Sequence, residues 1–229
     1  MRVETIGNAR LYLGRCEDVL PTLSGIDAVV CDPPYGINIR ARVNFPDRAT
    51  WDTGVVDLAP VLSIGRFHVV WGGQYYTDQL PVSEGWAIWV KRPVRGIEKA
   101  QTHTTIEMAW SNFGKPRFLT HVWDGGLRAG HPDNRLFCHP AQKPIEVMEW
   151  CIEDLPDGSR TILDPYMGSG TTGCAAARLG RSFVGIERDP VHYETAVRRI
   201  TEAQRQSDLF LPPSPPQAVQ AGLFAESER

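Results

Sequence analysis

Residues 161–187 limit the fold more than any other stretch of the chain. A short β-type run, Thr161–Leu163, leads into Asp164-Pro165-Tyr166-Met167-Gly168-Ser169-Gly170-Thr171-Thr172-Gly173. A helical segment closed by Gly180 follows, and then a second β-type run, Ser182–Ile186, that ends at Glu187. Strand, glycine-rich turn, helix and strand in that order form a crossover unit with two parallel strands. Parallel strands are covered on both faces, so the rest of the chain must supply a layered α/β fold.

The same stretch carries a ligand signal. Gly168 to Gly173 fits G-x-G-x-x-G, and Glu187 lies 19 residues after Gly168, at the end of the next strand. Glycines let a ligand approach the backbone, and an acid at that distance takes ribose hydroxyls. The pattern alone fits a dinucleotide or another adenosine-bearing cofactor. Asp164 suits an ammonium group better than a diphosphate, which it would repel. S-adenosylmethionine carries such an ammonium.

Further β-type runs occur at Arg10–Leu13, Asp27–Cys31, Phe67–Trp71, Trp86–Val90 and Thr104–Trp110, and helical spacing occurs after Pro144 and over Val191–Gln204. The run DAVVC is apolar and β-branched, as a buried parallel strand should be. It ends in Asp32-Pro33-Pro34-Tyr35. Ligands bind at the carboxyl ends of parallel strands. Two prolines fix the backbone and remove two donors, so their carbonyls point in set directions. With a carboxylate on one side and an aromatic ring on the other, this turn suits a planar group that bears an exocyclic amine. Asp32 and the Pro33 carbonyl accept the amine hydrogens, and Tyr35 stacks on the ring.

The five cysteines form no CxxC pair, which argues against a zinc cage or a disulfide framework, and no metal site is expected. No run of 18 apolar residues exists and the N-terminus lacks an apolar signal region, so no membrane association is expected. Net charge is −3, but it is unevenly spread: nine basic and four acidic residues lie between Lys91 and Lys143. A basic middle on an acidic frame fits a polyanion-binding face, with Lys91, Arg92, Arg95, Lys99, Lys115, Arg117 and Arg128 as its candidate contacts.

These residues resemble the amino-methylating DNA methyltransferases, which act on the exocyclic amine of adenine or cytosine. That family's hallmarks read DPPY and D-P-F-x-G-S-G. Here they stand as Asp32–Tyr35 and Asp164–Gly170, with Tyr166 in place of Phe. His139-Pro140-Ala141-Gln142-Lys143-Pro144 is similar to the family's H-P-T-x-K-P element, and Phe183–Glu187 to its ribose-binding strand. The resemblance covers residues 10 to about 205. It implies a doubly wound, mostly parallel, Rossmann-like sheet, circularly permuted because DPPY precedes the glycine loop, with a small irregular insert. It implies S-adenosylmethionine as cofactor and DNA as substrate. Asp32, Pro33, Pro34 and Tyr35 would be catalytic. Asp164, Pro165, Tyr166, Gly168, Ser169, Gly170, Thr171, Thr172, Glu187 and Lys143 would bind the cofactor. DPPY favours adenine N6 over cytosine N4. Residues 1–205 would form the methyltransferase domain, with target recognition at about 92–138, in the basic stretch.

One position departs from the pattern. After strand Leu11–Leu13 the family has Gly-Asp, whereas this chain has Gly14-Arg15-Cys16-Glu17-Asp18. Residues 206–229 carry four prolines within Pro212–Pro216 and are expected to be a flexible tail. Within it, Gln206–Phe210 (QSDLF) and Gln220–Phe224 (QAGLF) resemble the pentapeptide that docks replication proteins on the sliding clamp. The family also implies a possible homodimer, a bacterial or phage origin and a cytoplasmic location. Two rivals from other classes are a nicotinamide-dependent oxidoreductase, which leaves DPPY unexplained, and a catalytically silent DNA-binding module, supported only by Arg15.

Overall fold

The computed structural model describes residues 1–37, 54–91, 105–124, 127–128 and 142–210. The strands are β1 (Arg2–Ile6), β2 (Ala9–Leu13), β3 (Ala28–Cys31), β4 (Phe67–Trp71), β5 (Gly85–Val90), β6 (Ile106–Ser111), β7 (Arg117–Thr120), β8 (Trp123–Asp124), β9 (Leu127–Arg128), β10 (Thr161–Asp164) and β11 (Ser182–Glu187). The helices are α1 (Cys16–Val19), α2 (Ala59–Leu62), α3 (Ile145–Glu153), α4 (Thr171–Arg178) and α5 (Pro190–Phe210).

Nine strands form one sheet in the order β1-β2-β11-β10-β3-β4-β6-β5-β7, and β8 and β9 form a separate hairpin. The central run from β2 through β11, β10 and β3 to β4 is parallel throughout. β1 pairs antiparallel with β2, and β6 runs antiparallel to both β4 and β5. The sheet is thus mostly parallel, as expected.

Period-two alternation divides the core between the two faces of this sheet. Ala28 and Val30 of β3 join one apolar cluster, while Val29 and Cys31 join the other. On β4, Val69 and Trp71 face one way and Val70 the other. The first face is covered by residues of α3, α4 and α5, the second by Val19 of α1 and Val61 of α2. α4 lies close because its buried stretch is Cys174-Ala175-Ala176-Ala177. A Cβ on Gly173 would overlap Ile200 of α5.

The glycine-loop strand β10 comes late in the chain yet lies centrally in the sheet, between β11 and β3. The crossover β10–α4–β11 winds toward one edge and β3–α2–β4 toward the other. The winding therefore reverses between β10 and β3, where open α/β sheets form a ligand crevice.

Three boundaries differ from the sequence reading. β6 and β7 belong to the main sheet, so the segment 92–138 is not a continuous insert. Edge strand β7, with the burial pattern half-buried, exposed, half-buried, exposed, is too short and too polar to stand out by periodicity. α5 runs on to Phe210, because no breaker occurs before Pro212. Gln206–Phe210, expected to open the tail, forms instead the last turn of that helix, and 211–229 lie outside the described residues. β1 was not anticipated. It pairs with β2 across a tight turn at Gly7, whose φ is +53°.

Candidate active site

Register places three carboxylates side by side. Val29 of β3 pairs with Leu163 of β10, and Asp164 of β10 pairs with Gly185 of β11. Asp32, Asp164 and Glu187 therefore stand at the carboxyl ends of three adjacent parallel strands. They line one cavity of about 470 Å³, with Pro33, Pro34, Tyr35, Lys143, Pro165, Tyr166, Gly168, Ser169, Thr171 and Thr172 also in its walls. That volume falls in the range of small-molecule sites.

The glycine-loop side is held by its own hydrogen bonds. Asp164 Oδ1 accepts the Tyr166 amide at 3.0 Å and Oδ2 accepts the Thr172 hydroxyl at 2.6 Å. Among the described residues no cation pairs with it. Burial pushes its carboxyl up to about 7, against the pull of those two donors. Glu187 accepts the Gly168 amide at 2.9 Å and the Asp189 amide at 2.7 Å, so the ends of β10 and β11 are tied together. Burial raises the Glu187 carboxyl also. Arg199 of α5 donates to the Ser169 carbonyl at 2.6 Å and to its hydroxyl at 2.8 Å, fixing the loop from behind. Gly168 and Gly170 have φ of +51° and +80°, conformations that a side chain disfavours.

The DPPY side is a rigid turn. The Tyr76 hydroxyl donates to the Pro34 carbonyl, and the Tyr35 hydroxyl donates to Asp32 Oδ1. The Tyr35 ring stacks on Tyr75 with centroids 5.1 Å apart. Its other neighbour is Gly72, in a left-handed conformation at φ +70°, where a Cβ would overlap the Tyr35 ring. Lys143, immediately before α3, donates to Asp32 Oδ2 at 2.6 Å. Burial pushes the Asp32 carboxyl up, and the Lys143 ammonium draws it back.

Not every expected residue sits as anticipated. Lys143 lines the cavity, but its ammonium is directed at Asp32 and Glu107 rather than at the glycine loop. Two of the basic residues expected to meet a polyanion have protein partners instead: Lys91 pairs with Glu107, and Arg117 with Asp154. Arg117 is also packed over the Phe113 and Trp150 rings. Lys91 sits beside a carboxylate brought near by the pairing of β5 with β6, and Arg117 beside one at the end of α3, so their charge alone misled. Lys115 is exposed. Arg92, Arg95 and Lys99 lie outside the described residues, as does the side chain of Arg128. Arg15 and Glu17 reach the cavity lip and pair with each other at 3.5 Å, whereas Asp18 is not in its lining. Glu107 was missed. An acid inside the otherwise apolar strand IEMAWS was its only signal. Among the described residues no group of His, Cys, Asp and Glu is placed to hold a metal ion.

A family model described as DNA methylase matches residues 91–198. That match spans 108 of the 229 residues, a little under half of the chain. A Type II methyltransferase, M2.LlaDCHI of Lactococcus lactis subsp. cremoris, is 36% identical over 108 residues, 47% of this chain and 40% of that relative. The chain thus matches less than half the length of that relative. Among solved structures, a complex of M1.HpyAVI with SAM superposes with a TM-score of 0.56 at 21% identity, over 83% of this chain and 99% of the other. The cytosine-N4-specific PvuII DNA methyltransferase superposes with a TM-score of 0.58 at 16% identity, over 89% and 93%. The fold is that of the class I DNA methyltransferases.

Proposed function

We propose that this protein transfers a methyl group from S-adenosylmethionine to the exocyclic N6 amine of adenine in DNA. The observation that carries this reading is the shared cavity. The DPPY turn and the glycine loop stand on neighbouring strands and wall one space, so a cofactor on one side faces a substrate amine on the other.

The residues present fit the cofactor. Asp164 is a buried carboxylate without a cation, which suits an ammonium group. Glu187, oriented by two backbone amides, suits ribose hydroxyls. When bound, the cofactor supplies a sulfonium methyl, whose C–S bond breaks with its electron pair passing to sulfur as the N–C bond forms. Asp32 and the Pro33 carbonyl accept the amine hydrogens and draw the nitrogen lone pair out of conjugation with the ring. The nitrogen, positively charged once the N–C bond has formed, then loses one proton to water. Tyr35 lines the cavity that a base flipped out of the duplex would enter, and contact with its ring offsets part of the few kcal/mol of unstacking. Catalysis rests on positioning and electrostatics.

The decisive experiment is nucleoside mass spectrometry of DNA incubated with the purified chain and S-adenosylmethionine. N6-methyladenine is expected. N4-methylcytosine would keep the mechanism and change the base. Binding of NAD without S-adenosylmethionine would overturn the reading.

A DNA substrate implies a cytoplasmic location, and among the described residues no helix is long and apolar enough to cross a membrane. Docking on a sliding clamp through the QAGLF motif at 220–224, outside the described residues, extends the proposal, as does a homodimer. Truncation after Phe210, which spares α5, should weaken clamp binding. A truncated chain that binds clamp as well as the full chain does would end that extension.

A further inference from the structure

Four charged side chains of alternating sign run inward from the cavity: Asp32, Lys143, Glu107 and Lys91. Lys143 Nζ donates to Asp32 Oδ2 at 2.6 Å and lies 3.2 Å from Glu107 Oε2, while Lys91 pairs with Glu107 Oε1. The members come from four separate segments: the turn after β3, the approach to α3, β6, and the residue after β5. The Lys143 side chain is only 7% exposed and its ammonium also lies 5.0 Å from the centre of the Trp71 ring. Glu107 lies on β6 between Ile106 and Met108 with its side chain 26% exposed, and a largely buried carboxylate is costly unless it is paired. It is paired through both oxygens. Burial works to raise the Glu107 carboxyl, but the two lysines outweigh it and hold the group at about 2. Burial likewise works to lower Lys143, and Asp32 and Glu107 outweigh it, so its ammonium keeps its proton.

Resting on the reading that Asp32 receives the substrate amine, we propose that Glu107 is a positioning residue that holds Lys143 on one oxygen of Asp32 and so reserves the other oxygen for that amine. Oδ2 carries a charged donor. Oδ1 carries the neutral Tyr35 hydroxyl, which an incoming amine displaces more readily because no buried ion pair has to be broken. Without Glu107, the ammonium has one anion left and settles across both Asp32 oxygens, blocking the amine. The other titratable groups near this chain of charges are Tyr35, Cys31, Cys151 and Asp164.

The test compares Glu107→Gln, Glu107→Asp and Lys91→Met in the full chain. Two readouts are taken: the pH profile of single-turnover methyl transfer to DNA, and the pH titration of the Asp32 carboxyl by 13C NMR without cofactor. Glu107→Gln removes a negative charge, so Asp32 and Lys143 both release their protons more easily. Both limbs of the profile and the Asp32 titration should move to lower pH by about one pH unit. The optimum rate should fall about tenfold, with cofactor affinity unchanged and Glu107→Asp restoring most of it. Lys91→Met removes a positive charge and should move both limbs to higher pH. It carries the test should Glu107→Gln fail to fold. An equal loss at every pH with the limbs and the Asp32 titration unmoved would overturn the positioning role and leave the functional reading intact. A wild-type chain that binds cofactor yet methylates none of several DNAs would overturn the functional reading, and this role with it.

Discussion

Lys143 Nζ stands 2.6 Å from Asp32 Oδ2, across 111 residues of sequence. The contact joins the DPPY turn to the segment that leads into α3, and it gives the carboxylate at the end of β3 a buried cation. Asp164, 3.0 Å from one amide and 2.6 Å from one hydroxyl, has no such partner. A half-buried aspartate at the end of β3 and a buried one on the adjacent β10 thus have different surroundings. Asp32 is kept as an acceptor by a resident cation. Asp164 is held by neutral donors, and under the proposed function it would meet the ammonium of the cofactor.

Lys143→Met should separate these roles. It leaves Asp32 and Glu107 as two acids with Lys91 as the remaining cation, and stability should fall by about 3–5 kcal/mol near neutral pH, as when one partner of a buried pair is removed. The sign with pH follows from Asp32. A carboxyl whose pKa is raised in the folded state contributes stability below its unfolded value and loses it as pH rises through the folded value. The loss in Lys143→Met should therefore shrink in acid. Methyl transfer should be depressed most at low pH and recover as pH rises. Urea denaturation between pH 5 and 8 and a pH–rate profile check both statements, and a stability loss that does not vary with pH would contradict them.

Cofactor affinity should depend on Asp164. Its carboxyl, raised to about 7 by burial, must lose its proton before it can pair with an ammonium. Below pH 7 the affinity for S-adenosylmethionine should fall about tenfold per pH unit, since one proton is released on binding. Above pH 8 it should level off. Calorimetry in buffers of different ionisation enthalpy measures that proton directly. Asp164→Asn should flatten the dependence and weaken binding above pH 8.

Gly72→Ala should damage the amine side alone. The substitution forces a left-handed residue to carry a Cβ, at about 1–2 kcal/mol, and that atom would overlap the Tyr35 ring. The ring must leave its stack on Tyr75. Methyl transfer should drop by at least about tenfold, while S-adenosylmethionine binding, made on the far side of the cavity, stays unchanged. A variant that loses both equally would place Gly72 in the general fold rather than beneath Tyr35.

What could be read in advance followed from local pattern. The strand–loop–helix unit at 161–187 and the DPPY turn each state their chemistry within ten residues, and the seven strands foreseen carry apolar or β-branched runs. The edges were less legible. β1 is mostly exposed and β7 alternates weakly, so neither departs enough from a loop to be seen. The ion pairs were invisible for a different reason. Glu107 meets Lys143 only because β6 turns back antiparallel beside β4, and no spacing along the chain encodes that return. Charge counting across 91–143 therefore treated Lys91 and Arg117 as surface cations, when Lys91 is matched to Glu107 of β6 and Arg117 to Asp154 at the end of α3.

That distinction can be measured on DNA. Arg117 is paired with Asp154, lies over two aromatic rings and donates to the Ser111 hydroxyl at 3.2 Å, so Arg117→Ala should lower the melting temperature through lost packing. It should leave the salt dependence of DNA binding as it was. Lys115 is exposed and among the described residues has no acid recorded beside it, so Lys115→Ala should leave stability within about 0.5 kcal/mol. If Lys115 meets a phosphate, the slope of log K against log salt should fall in magnitude by about 1. Fluorescence anisotropy over a salt series, alongside thermal melts, reads both variants. A reduced slope in Arg117→Ala with an unchanged melt would return that arginine to the DNA face.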